Sequence, residues 1–292
     1  DATAHHQGLM LAVALESLVK LVGLLAVAWF AWEGLQTLPV GWHHDIRLDH
    51  LLRPDTLPTG FMAQLLLAFL AMMCLPRQFH VAVVECHDVR QVRQAPIWFG
   101  LYLVLIAVAV LPIASMTLLD PRLAGIHPDT AVLALPLRLG SEPLAMLAFI
   151  GGFSAAAGMV IVASVALSTM ICNDLVVPLL LRFGRFGQQP MPRLLLWIRR
   201  CAIMSLALLG YGYYRLLTEF SQLASVGLLA FSAVAQFAPA LIGGLFWRGG
   251  SRQGVMTGLV AGFAVWLYTL MLPALLPALG FDSSWLRHGM LG

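Results

Sequence analysis

Hydrophobic residues in this chain fall in long blocks rather than in the alternating or one-faced patterns of elements half exposed to water. Residues 56–76, 94–119, 143–173, 220–247 and 253–281 contain no Asp, Glu, Lys or Arg, in runs of 21, 26, 31, 28 and 29 residues. A helix rises 1.5 Å per residue, so about 20 apolar residues cross the ~30 Å hydrocarbon layer of a bilayer. Two further apolar segments carry a few charges. Together they predict seven spans, near 9–30, 61–84, 97–118, 144–171, 194–214, 223–247 and 254–276. The fourth is expected to continue as far as Leu181; because that length overshoots the layer, Asn173, Asp174 and Pro178 are expected to mark where it leaves the hydrocarbon.

Composition sharpens this to one class. The chain of 292 residues is 60 % hydrophobic and only 11 % charged, and its mean hydropathy is +0.86. Soluble domains average about 25 % charged residues, and disordered chains combine low hydrophobicity with high net charge. Neither fits. The sequence reads as an all-α integral membrane protein, multi-pass and in contact with the lipid bilayer. The formal net charge of +3 gives no case for nucleic acid. No cleavable leader is visible between Asp1 and Gly292, and the sequence is read as part of something longer.

Charge also predicts orientation. Arg90, Arg93, Arg182, Arg185, Arg193, Arg199, Arg200, Arg248 and Arg252 fall on one side of the layer; Arg47, Arg53, Arg122, Arg138, Arg215 and Arg287 fall on the other. The positive-inside rule places the first set in the cytoplasm. The long loops after the first and third spans then lie outside, where Pro54, Pro58, Pro121 and Pro128 predict irregular or short structure.

Ionisable groups at membrane depth are functional candidates. Glu16 and Lys20 stand four apart in the first span, in the favourable order for an intramembrane ion pair. That pair either neutralises itself or takes part in ion or solute movement. The second span carries Met73, then Pro76-Arg77-Gln78-Phe79-His80. Proline cannot continue the helical hydrogen-bond ladder, and polar side chains beside a broken span are how transporters build sites near the midplane. The competing reading has Arg77 snorkelling to the interface. In the sixth span Ser232 and Gln236 precede Pro239 and offer a second wall of a cavity, or a kink without a ligand.

The fourth span holds Gly151, Gly152, Ser154, Ala155, Gly158 and Met159. Small residues there permit close helix packing, or expose carbonyls to a cation; Ser164, Ser168 and Thr169 are expected to hydrogen-bond between helices. His43, His44, Asp45, Asp49 and His50 have no recognised zinc-ligand spacing and read as a solvated loop. No metal or organic cofactor is expected. Without a P-loop, nucleophile elbow, HExxH or paired carboxylates, the chain itself is not read as an enzyme.

Several segments resemble the sodium:solute symporter family. They are Ala224-Ser225-Val226-Gly227, Ala235-Gln236-Phe237-Ala238-Pro239-Ala240, Gly243-Gly244-Leu245-Phe246-Trp247-Arg248, and the glycines Gly254, Gly258 and Gly262. The runs from Leu75 to Glu85 and from Ala166 to Val176 more specifically resemble the transporter-like membrane part of CbrA-type sensor histidine kinases. The resemblance covers about Gly8 to Pro277 and implies a single, partial transporter-like domain over 1–292. It implies a LeuT-like inverted-repeat bundle: the last helix of the first repeat, all of the second, and one accessory helix. Further transmembrane helices would precede this segment and a cytoplasmic kinase module would follow it.

The resemblance also implies a function. The domain would bind, and import, a small polar solute such as an amino acid in a bacterial inner (plasma) membrane, as the sensory input of a two-component kinase. A stand-alone cation-coupled symporter is the alternative, with Na+ or H+ as coupling ion. Met73, Pro76, Arg77, Gln78 and His80, with Ser232 and Gln236, are the implied solute residues. Counting back from Asp174, the family's sodium-binding carbonyl falls at Ala155 or Ala156 and its two hydroxyls at Gly158 and Met159, neither of which has one; Ser154 lies one turn away.

Overall fold

The computed structural model describes residues 7–38, 60–84, 86, 89–183, 191–217, 223–247 and 249–275. Every regular element among them is helical. The helices are α1 (Gln7–Gln36), α2 (Phe61–Cys74), α3 (Pro76–Phe79), α4 (Val89–Leu119), α5 (Ala131–Arg138), α6 (Glu142–Met170), α7 (Val177–Phe183), α8 (Met191–Leu217), α9 (Leu223–Ala235), α10 (Ala238–Phe246), α11 (Arg252–Trp266) and α12 (Leu272–Leu275). Wide π-helical turns follow α3 (His80–Val84), α6 (Ile171–Val176) and α11 (Leu267–Met271).

Among the described residues, six helices are long and apolar enough to cross a membrane: Met10–Gln36, Val92–Leu119, Glu142–Leu179, Leu194–Arg215, Leu223–Phe246 and Arg252–Leu275. The bent pair of α2 with Pro76–Val83 makes a seventh if counted as one span. Large apolar side chains cover the outside of these helices; Phe246 is 83 % exposed and Trp98 68 %. Apolar surface on this scale is covered by lipid in a multi-pass membrane protein.

The chain forms two compact units, Asp1–Thr59 with Ala82–Ile161, and Gly60–Val81 with Val162–Gly292. In the first, α1 packs along α4, and α5 rests against both. Its core joins Val27, Ala31 and Leu35 of α1 to Ala109, Ile113 and Met116 of α4, with Leu123, Leu135 and Ala148. Two glycines let α1 and α6 approach: a Cβ on Gly23 would stand 3.2 Å from the Leu147 carbonyl oxygen, and one on Gly151 3.5 Å from the Lys20 Cα. The packing role predicted for Gly151 and Gly158 holds, whereas Gly152 meets nothing within 4 Å.

The loop after α4 is ordered by its prolines into short helical turns at Pro121–Leu123 and Pro128–Thr130. Asp120 caps the first: its carboxylate accepts the Arg122 backbone N–H at 2.9 Å and the guanidinium at 2.7 Å. That hydrogen bond, helped by the Arg122 charge, holds the Asp120 carboxyl below the ordinary carboxylate range despite its burial. The loop after α1, with His43, His44, Asp45, Asp49 and His50, lies outside the described residues.

In the second unit α2 packs against α9 and α10, α9 against α11, and α8 against the turn after α6 and against α12. The fourth helix runs on past Asn173 and Asp174, in line with the expected continuation to Leu181. It passes through the wide turn Ile171–Val176 into α7 as far as Phe183. A proline disturbs the ladder one turn before itself, and the wide turn lies there, directly ahead of Pro178. Ser168 and Thr169 depart from expectation. Both donate to the Val165 carbonyl of their own helix, at 3.1 and 2.8 Å, rather than across to another.

Leu135 is fully buried, so Leu135→Ala should cost about 2–5 kcal/mol, measured by thermal unfolding in detergent. A carboxyl held low in the folded state stabilises above the ordinary carboxylate range, and that contribution is lost as pH falls through the range toward the depressed value. Asp120→Asn should therefore lower stability at neutral pH and flatten the acid side of the stability curve; an unchanged acid side would discount the cap.

Candidate functional site

The second span breaks where the sequence predicts. Leu75 leaves helical geometry (φ −64°, ψ 122°), Pro76 starts α3, and the chain turns through 52°. The Leu75 N–H still closes α2 on the Ala71 carbonyl at 2.9 Å, while the Leu75 carbonyl accepts the N–H groups of Gln78 and Phe79, both at 3.0 Å. The carbonyls of Met72, Met73 and Cys74 thereby lose their ladder donors: Pro76 has no N–H, Arg77 starts a new helix, and Gln78 bonds to Leu75. Bare carbonyls at membrane depth are tolerated only against protein or water.

Arg77 and Gln78 are half-buried just beyond the break, and Met73 is 44 % exposed just before it. The Arg77 Nε is shielded from solvent and donates to nothing among the described residues. A guanidinium with a buried, unused donor can take an anionic oxygen, and the carbonyls before it can accept from an ammonium or hydroxyl. His80 opens the wide turn that follows.

The sixth span is interrupted too. Between α9 and α10 the ladder slips at Gln236 and Phe237, where the Phe237 N–H bonds back to the Val234 carbonyl at 3.1 Å and Pro239 lies in the first turn of α10. This is the predicted proline kink, and both of its halves lie against α2. Ser232 is half-buried on α9, and Gln236 is half-buried just past its end. Ser232 donates to the Leu229 carbonyl at 2.7 Å and accepts the Trp266 indole N–H at 2.9 Å. The Gln236 amide oxygen fills the space beside Gly262 that any larger residue would take. Phe263 stacks edge-on between Phe237 and Trp266, with centroids 5.5 and 6.1 Å away.

The interrupted spans therefore share one unit and pack together. Among the described residues, no hydrogen bond joins Arg77 or Gln78 to Ser232 or Gln236. Trp266 was not singled out from the sequence, and Gly262 was named there only among the glycines of the resemblance. Their spacing of four on one helix face was legible, and a half-buried indole needs an acceptor, but nothing local says that the acceptor is Ser232.

The expected cation positions diverge. Gly158 is buried against α1, Ser154 and Ala155 are half-buried, and Met159 is 51 % exposed. Among the described residues no group of three or more His, Cys, Asp or Glu is placed to hold a metal ion. The predicted ion pair is open: no salt bridge joins Glu16 to Lys20, whose ammonium instead lies 5.6 Å from the Tyr102 ring centre. A cation over an aromatic face needs no partner carboxylate, and the Glu16 carboxylate lies beside Gly158.

Compared with protein-family models, with curated proteins and with solved structures, the chain matches none. The reading of the site rests on its own residues.

Ser232→Ala and Trp266→Phe each remove the same interhelical bond. In a double-mutant cycle they should couple by about 0.5–1.5 kcal/mol, read from melting in detergent; strict additivity would mean that the bond contributes nothing.

Proposed function

We propose that this chain is a transporter-like solute-binding domain, with a bundle of the LeuT-like inverted-repeat kind, in a bacterial inner membrane. The observation that carries the reading is the span broken at Leu75–Pro76, with the Arg77 Nε buried and unused beside it. A charged side chain at the centre of a spanning helix costs about 2.5–3.5 kcal/mol on insertion scales. A fold that keeps Arg77 within a broken spanning segment, half-buried and next to carbonyls stripped of donors, has a use for it. The ligand that suits both groups is a small polar solute carrying an anionic end and a donor end, as an amino acid does. The packing of a second interrupted helix, α9–α10, on the first supports the same reading, since broken helices at facing positions are how membrane carriers build a site.

The domain binds the solute at Arg77, Gln78 and the Met72–Cys74 carbonyls, with Ser232 and Gln236 behind them. It imports the solute by alternating access and passes its occupancy to a cytoplasmic histidine kinase module. A solute that prefers one of two conformations shifts their populations by its differential affinity, which is sufficient to bias a kinase. The symporter and kinase assignments draw their support from the sequence resemblance alone.

Pro76→Ala restores the missing donor and should straighten the second span. In nanodiscs, solute binding found in an amino-acid screen should weaken about tenfold or more, while folded yield and melting temperature change little. Equal losses of binding and folded yield would assign Pro76 to folding alone. No binding of any amino acid to the parent protein would remove the proposal.

A further inference from the structure

The arginine-rich end of the second unit carries a surface that the solute site does not use. Residues 175–214 contain five arginines and no acidic residue. Two of them, Arg199 and Arg200, stand just inside the start of the span Leu194–Arg215 on α8, about 8–9 Å along its axis. Arg200 is exposed, and its guanidinium carbon lies 5.9 Å from the centre of the Trp197 ring, which is itself 64 % exposed. Arg199 is half-buried, with its Nε shielded from solvent. From this pair an apolar stripe runs down α8. Met204, Leu208 and Tyr211 follow Trp197 and Arg200 at helical spacings of three and four, which keep them on one face, and they are 62, 65 and 62 % exposed. Tyr211 and Tyr214 pair with ring centroids 6.5 Å apart. Trp197 and these tyrosines are separated by about 21–26 Å along the axis, close to the thickness of the hydrocarbon layer. Trp and Tyr collect at the two membrane–water boundaries, so Trp197 marks one boundary on α8 and the tyrosines mark the other.

At that boundary the two guanidiniums are level with lipid phosphates. Helical side chains lean toward the helix N-terminus, so both stems rise from apolar surroundings toward the headgroups. A guanidinium takes a phosphate through two parallel hydrogen bonds, and stacking on Trp197 steadies Arg200 for this. Asp174, exposed in the turn Ile171–Val176 against which α8 packs, brings one negative charge to this side of the unit. Set against Arg199 and Arg200, it leaves a positive charge over. A soluble anion would use the arginines and leave the stripe bare. A further apolar helix would use the stripe and cover the arginines without a counter-charge. An anionic phospholipid uses both, and a zwitterionic one brings its own cation to the same place. We propose that Trp197, Arg199 and Arg200 form a binding site for an anionic phospholipid. The guanidiniums hold the phosphate, Trp197 lies against the glycerol backbone, and one acyl chain runs over Met204, Leu208 and Tyr211. No residue of the solute site takes part, so this inference goes beyond the solute reading and stands if that reading fails.

Quenching of Trp197 fluorescence by brominated lipids tests it. The protein is reconstituted in phosphatidylcholine vesicles that contain either phosphatidylglycerol or phosphatidylcholine brominated high on the acyl chains. The Trp197 signal is the difference between each protein and the same protein carrying Trp197→Phe. Phosphatidylglycerol should quench Trp197 at several-fold lower content than phosphatidylcholine does, and raised salt should narrow that gap. With Arg199→Gln and Arg200→Gln together the two lipids should quench alike, whereas Arg200→Lys, which keeps the charge, should retain most of the preference. Inorganic phosphate at matched ionic strength should not displace the brominated lipid, because it leaves the apolar stripe unfilled. Equal quenching by both lipids in the parent, a preference indifferent to salt or to the double substitution, or displacement by inorganic phosphate would overturn the proposal. So would quenching by neither lipid, the result expected if another helix covers this face. If the double variant does not fold, the lipid preference of the parent and its response to salt decide the matter.

Discussion

Inside a bilayer there is no water to take the hydrogen bonds of the peptide backbone. That constraint governs the whole molecule. It makes every described span a helix, because a helix satisfies its own carbonyls and N–H groups. It also gives meaning to each place where the ladder fails. The carbonyls of Met72, Met73 and Cys74 are let go at Pro76, and the ladder slips again before Pro239. Elsewhere hydroxyls fold back onto their own helices, as Ser17 does on Val13 and Thr117 on Ile113.

Much of this was legible because membrane insertion leaves a coarse signal. Apolar runs locate the spans, and the expected 223–247 and 194–214 agree with Leu223–Phe246 and Leu194–Arg215. Both proline breaks were legible too, since the missing N–H is a property of one residue wherever it sits. What the sequence did not reveal depends on partners from distant parts of the chain. Glu16 and Lys20 have the spacing of an ion pair, but local spacing competes with whatever the facing helices offer. Here α4 offers Tyr102 and α6 offers an empty place at Gly158. The continuation of the fourth helix toward Leu181 was legible as an apolar run, but the wide turn that allows it was not. Asn, Asp and Pro commonly end a helix, yet a wide turn absorbs the proline and lets the helix proceed.

The site residues divide along the same line. Pro76, Arg77 and Gln78 are placed by one local event, so their adjacency could be read directly. Ser232 and Gln236 belong with them only because α9 and α10 pack on α2. The role of Ser232 as an acceptor for Trp266 needs a third helix. Gly158 and Met159 are neighbours in sequence but face different ways, and the residue that fills the Gly158 notch comes from α1, more than a hundred positions earlier.

The wide turn at Ile171–Val176 has an effect beyond rescuing Pro178. Such a turn holds an extra residue in the winding, which rotates everything after it by about 100° relative to an uninterrupted helix. The compass bearing of Arg182 is thus set by a single inserted position upstream. A lineage that lost one residue there would keep its span and its composition, and would aim that arginine at a different neighbour.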